Sequence, residues 1–287
     1  MNRFFVGGIL AIAGIATLAA QQPAPKPEPA GQAPAAKQPQ PKSKGEVEAI
    51  QAMFQAPNAD ARIKAADDLI TKYADTDFKD LALFFAAASY EQKGDSDKAI
   101  VYAERAVDAN PNHYQSLLLL ARLIAQRTRE HDLDREEKLG RVEGYVKSAE
   151  KALATAQKPN PQLSDEQWTG AKKDMLAQGH EALGMAAMAR KKFDVAATEF
   201  KTAVEGSTQP DPATMVRLGS AYNQGGKYDD AIAVLDKVLA MPDAHPAVKQ
   251  FAQAEKVRAT QMKTGGAKPA AAPGTSVTPG TVEIKKP

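Results

Sequence analysis

The sequence predicts an all-α protein, a stack of about five antiparallel helix pairs closed by a C-terminal helix. Three observations predict it. First, a pattern of small and large apolar residues recurs: Gly184 and Gly219 are 35 residues apart, and so are Ala196 and Ala231. Second, within each recurrence the apolar residues fall at helical spacing, in two runs split by a short Gly/Asp/Lys turn. Third, the eight prolines of the central region (Pro57, Pro111, Pro159, Pro161, Pro210, Pro212, Pro242 and Pro246) all fall at proposed helix junctions. An all-helical stack demands this, because a proline inside a helix costs about 3 kcal/mol.

The two ends read as address and tether. In residues 1–20, Arg3 precedes an uncharged apolar run from Phe4 to Ala20, ending in small residues. This is the layout of a secretory signal peptide cleaved near Ala19 or Ala20, or else of a short anchor, since the run is at the lower limit for spanning a bilayer. Either way the chain is expected outside the cytoplasm, in the periplasm or cell envelope. Residues 21–45 carry seven prolines among Ala, Gln and Lys, and residues 264–287 repeat that composition. Neither buries enough apolar area to offset its ordering entropy, so both are expected as disordered spacers outside the fold.

Composition removes several classes of function. The chain has no Cys, which excludes disulfides, thiolate zinc sites and a cysteine nucleophile. Its net charge of +2 comes from the ends. Nine of the 37 basic residues and two of the 35 acidic ones lie outside 45–262, leaving a mildly acidic core with no case for a nucleic-acid partner.

The units follow in order. Residues 46–79 place Met53, Ala65 and Leu69 in register. Residues 80–113 supply Leu83, Ala86, Ala87, Tyr90, Ala99, Ala103 and Ala106 before Pro111. Residues 114–161 begin with Leu117, Leu120, Ala121 and Ile124 and resume at Ala149, Leu153 and Ala156, after an insertion around 127–144 that is dense in charge. The insertion is expected as lengthened helix ends, with Asp132 or Asp134 as a cap. Residues 164–209 open with a Ser164…Gln167 capping box and hold the only Trp, Trp168, expected in the core. Residues 212–245 supply Met215, Leu218, Gly219, Tyr222, Ala231, Leu235 and Val238. A closing helix over 247–263 is expected to turn Val248, Phe251, Ala252, Ala254 and Val257 inward. In each pair small residues such as Ala87, Gly184 and Gly219 let the helices approach, and large ones such as Tyr90, Phe200 and Leu235 fill the gap to the next unit.

At these positions the chain resembles the tetratricopeptide repeat, whose pattern sets a large residue at position 4, Leu-Gly at 7–8, an aromatic at 11 and Ala at 20 and 27. Leu83, Leu183-Gly184, Leu218-Gly219, Tyr90, Tyr222, Ala99, Ala196 and Ala231 carry the resemblance. Ala87 for Gly and Ala187 for an aromatic depart from it. The resemblance implies a right-handed superhelix whose first helices line a concave groove. On that mapping the candidate partner-binding residues are Leu81, Phe84 and Gln92; Leu118, Arg122 and Gln126; Met185 and Met188; and Val216, Asn223 and Gln224. The family's chaperone-tail clamp, Lys and Asn at positions 5, 9 and 13, is absent: position 5 holds Phe84, Leu118, Glu181 and Val216. The groove reads as apolar with Met and amides interspersed, suited to a peptide or helix with an apolar face.

No catalytic constellation is found. His113 and His245 read as turn residues beside junction prolines, and the His180-Glu181 pair lacks the second His of a metalloprotease helix, since residue 184 is Gly. No metal or cofactor is expected. The sequence thus predicts a non-catalytic protein-interaction scaffold. The alternatives are a membrane-tethered or self-assembling spacer, and an enzyme or glycan-binding protein using the charged insertion.

Overall fold

The computed structural model describes residues 39–265, and residues 1–20, expected as a signal segment, most of the proline-rich stretch and nearly all of residues 264–287 lie outside the described residues. Among the described residues there are eleven α-helices and no strands. They are α1 (Lys44–Phe54), α2 (Ala59–Lys72), α3 (Lys79–Gln92), α4 (Ser96–Ala109), α5 (Tyr114–Arg127), α6 (Arg135–Thr155), α7 (Asp165–Ala189), α8 (Phe193–Gly206), α9 (Pro212–Gln224), α10 (Tyr228–Ala240) and α11 (Pro246–Lys263). The expected architecture of five pairs and a closing helix is present. All eight core prolines lie in loops or at the first position of a helix.

The helix starts follow local chemistry. Side chains of Ser43, Asn58, Asp95, His113, Asp211 and His245 accept hydrogen bonds from backbone N–H groups of the turn they open. Such a cap contributes about 1 kcal/mol. Ser164 and Gln167 form the reciprocal capping box. The turns inside three pairs share one geometry, in which Gly94, Lys191 and Gly226 adopt positive φ (78°, 59° and 76°). The next N–H donates back to the carbonyl of Tyr90, Ala187 and Tyr222 respectively, a 6→1 closure.

Packing explains the small residues. A Cβ on Gly184 would lie 2.6 Å from the Phe200 ring, and one on Gly219 would lie 2.8 Å from Leu235, so only glycine lets each pair close. Buried residues form five successive clusters along the stack, and Trp168 is buried with Lys172 over its ring. Helices contact their sequence neighbours throughout. The odd-numbered helices also touch one another, α3 with α5, α5 with α7 and α9 with α11, whereas no two even-numbered helices make comparable contact. In a curved two-layer stack the closer-spaced layer is the inner one, so the odd helices line the concave side.

Three expectations are corrected. The insertion lengthens only one helix: α5 stops at Arg127, and α6 begins at Arg135. Asp134 sits at the N-cap position without a capping bond, because its carboxylate pairs with Lys138 at 2.8 Å. On α11, Phe251, Ala254 and Val257 are exposed, and the inward edge is Val248, Ala252 and Ala259. Lastly, the end of the spacer belongs to the structured region: Gln40 and Lys42 bond to Asp77 and Asp75 in the α2–α3 loop, and the Lys42 N–H donates to buried Glu46.

Candidate functional site

The inner helices α3, α5, α7 and α9 carry the eleven candidate groove residues, and packing divides them. Phe84 is half-buried, its ring 5.8 Å from Phe85 and 5.3 Å from the His113 imidazole. Leu81 is half-buried beside it. Met185, Met188 and Val216 are half-buried against the core clusters of the last units. Gln92, Gln126 and Gln224, near or at the C-terminal ends of α3, α5 and α9, are exposed. These residues present surface on the inner layer.

Of the other three, Leu118 and Asn223 are buried and Arg122 is held in an ion pair. Leu118 is 5% exposed and belongs to the core with Leu117, Ala149 and Leu153, where Met175 and Leu176 of the long helix α7 cover it. Asn223 is buried, and its amide donates to the Glu255 carbonyl at 3.0 Å and to the Glu255 carboxylate at 2.7 Å, which fastens α11 to α9. Arg122 is committed to Glu91 through two contacts, 2.5 and 2.8 Å. Burial works against its charge, but Glu91, helped by the field of Glu181, holds the guanidinium above its ordinary pKa.

Arg122 reveals a feature that the sequence reading missed. Glu91 on α3 pairs with Arg122 on α5, and Glu181 on α7 pairs with Arg217 on α9 at 2.7 Å. The inner layer therefore holds a seam of paired charges between its apolar patches, rather than amides and Met alone. Partners one repeat apart, 31 and 36 residues here, are the only trace of it in the sequence.

The insertion is accounted for by its own pairs. Glu130 reaches Lys191, Glu136 and Glu143 both reach Arg190, and Lys138 joins Asp132 to Asp134. It braces α6 against the end of α7. His113 and His245 are helix caps, and His180 hydrogen-bonds Glu199 at 2.8 Å across the α7–α8 pair. Among the described residues no group of three His, Asp or Glu is placed to hold a metal, and no helix is long and apolar enough to cross a membrane.

The stack defines a helical-repeat solenoid with a two-layer wall. Models of the tetratricopeptide repeat match residues 82–113 and 181–256. No curated protein matches the sequence. Among solved structures the chain is similar to a thermophilic tetratricopeptide-repeat protein of Thermus thermophilus, with 17% identity and a TM-score of 0.51 over 74% of this chain and 99% of that one. Residues 82–113 and 181–256 are thus tetratricopeptide repeats in a chain with the fold of a tetratricopeptide-repeat protein, and repeats of this kind serve as scaffolds for protein–protein interaction.

Proposed function

We propose that this chain is a non-catalytic interaction scaffold, exported to the periplasm or cell envelope, that holds a peptide or helix with an apolar face against its inner layer. One observation carries the groove: Phe84, Met185, Met188 and Val216 are half-buried on inner helices, next to exposed Gln92, Gln126 and Gln224. Apolar side chains left partly open on the concave face offer contact area, Met adapts to an irregular partner, and amides at the rim bond its backbone. The charges of the seam are already paired, so an apolar partner strands no ion there. Export rests on the composition of residues 1–20 and the absence of Cys.

The test is recovery of partners from envelope extract by the wild type and by a Phe84→Glu, Met185→Glu double variant, after circular dichroism shows equal helicity. Loss of specific partners by the variant is expected, and equal recovery of every partner would overturn the groove. The mass of the chain from envelope fractions tests the address, because cleavage removes about 20 residues. A full-length chain confined to the cytoplasm contradicts export.

A further inference from the structure

The described solenoid closes its two ends in unlike ways. The outer side of α1 exposes Lys44, Glu48, Gln51 and Gln55. The outer side of α11 exposes an apolar ridge, Phe251 (41%), Ala254 and Val257 (45%), flanked by Gln250 and Gln261. A shallow hollow of about 200 Å³ lies beside Val257. The ridge carries no charge of its own, and the nearby cations are drawn to other partners: Lys256 to Asp236 at 2.6 Å and Arg258 to Glu255 at 3.8 Å. Helix α11 packs on α9 and α10, as the first helix of a sixth pair would, and no second helix among the described residues covers it. A terminal repeat keeps a solenoid soluble by a polar outer face, and here that face, with Gln250, Gln253, Thr260 and Gln261 exposed, is interrupted by an apolar line.

We propose that the α11 ridge is the docking surface for a second copy of this chain, two α11 helices crossing antiparallel about a two-fold axis at Ala254. The ridge reads alike in both directions, with a small residue at the centre and a large apolar one three positions to either side. At the crossing Ala254 lets the backbones approach, and Phe251 of each copy lies at the level of Val257 in the other. An uncharged strip meets its own copy without like-charge repulsion. Head-to-tail stacking would instead set the strip against Lys44 and Glu48 of α1, so closure into a pair is favoured over a filament. Helix α11 is about 27 Å long at 1.5 Å per residue, and one helix crossing falls well short of the ~800 Å² per partner of a stable interface. The pair is accordingly weak, half-formed at roughly 100 μM.

The lack of Cys in the chain provides the test. Under mild oxidation Ala254→Cys is expected to give a disulfide-linked dimer at least ~10-fold faster than Gln51→Cys on α1, since a bridge needs Cα atoms within about 7 Å. Adding Phe251→Glu to Ala254→Cys should slow the cross-link by a similar factor with helicity unchanged. Equal cross-linking at both positions, or none at 254, overturns the proposal. Sedimentation equilibrium of the unmodified chain should show its mean mass rising toward twice the monomer near 100 μM, on the order of the expected midpoint. A monomer up to ~1 mM would mean that the ridge is covered otherwise, by this chain or a different partner, and also overturns it.

Discussion

The carboxylate of Asp194, in the first turn of α8, lies 2.8 Å from Nζ of Lys227, just past the end of α9 and 33 residues along the chain. The same relation recurs at each step: Asp60 with Lys93, Asp97 with Arg127, Glu130 with Lys191, and Asp229 with Lys263. In four of the five an acid near the start of an outer helix meets a cation at or just past the end of the following inner helix; in the fifth the acid is Glu130, in the α5–α6 loop. In those four pairs the charges also suit the dipoles of the helix ends beside them. The Asp194 carboxylate, by hydrogen bond and charge, raises the pKa of Lys227 above the ordinary lysine value. A ladder of exposed pairs thus fixes the register between successive units.

Because each rung is exposed, each should be small and sensitive to salt. Asp194→Asn and Lys227→Gln are each expected to lower Tm by no more than about 2 °C at low salt, and the double variant by less than the sum. Thermal unfolding at about 1 M salt should erase the differences. Additive losses that persist in high salt would deny the pair.

Glycine-to-alanine changes should take opposite signs at different sites. Gly184→Ala and Gly219→Ala drive a methyl into Phe200 or Leu235 and should cost about 1–3 kcal/mol each. Gly140→Ala and Gly144→Ala, inside α6 with open space around them, should gain about 0.5–1 kcal/mol each. Urea unfolding of the four variants checks both directions.

Lys191 holds φ 59° where the equivalent turns have Gly94 and Gly226. A non-glycine residue there costs about 1–2 kcal/mol, and its ion pair with Glu130 is exposed and returns less. Lys191→Gly is therefore expected to raise Tm by a few degrees in calorimetry. A fall would show that the link to the insertion outweighs the strain.

His113 caps α5 as a neutral ring, with Nδ1 accepting from the Ser116 N–H. Burial lowers its pKa, against the opposing field of Asp80. The unfolded chain then takes up the proton first, so the stability is whole above about pH 6.5 and declines as pH falls below it. His113→Asn keeps a cap without the titration. Its unfolding free energy should be flatter than that of the wild type between pH 7 and 5.

Much of the fold was legible because its signals are local. Proline position, capping residues and the alternation of small and large residues act within one helix pair, and they marked the pairs and the glycines at Gly184 and Gly219. The candidate site was legible only in part. The place of Leu118 in the repeat points to the groove, but it packs with Ala149 and Leu153 of α6, and the added N-terminal turns of α7 bring Met175 and Leu176 onto it. On α11 two apolar stripes compete in the sequence. The one with alanines at 252 and 259 turned inward because small residues allow the closest approach, which left Phe251 and Val257 outside.

The sequence by itself determined the helical repeat, its period and the small residues on which each pair closes, since these depend on neighbours within about 35 positions. Only the tertiary structure decided which half-apolar side chains remain open on the inner layer, how Glu91, Arg122, Glu181 and Arg217 pair, and which stripe of α11 faces water. Those outcomes depend on the curvature of the stack and on charges a full repeat apart, which no periodicity within one helix encodes.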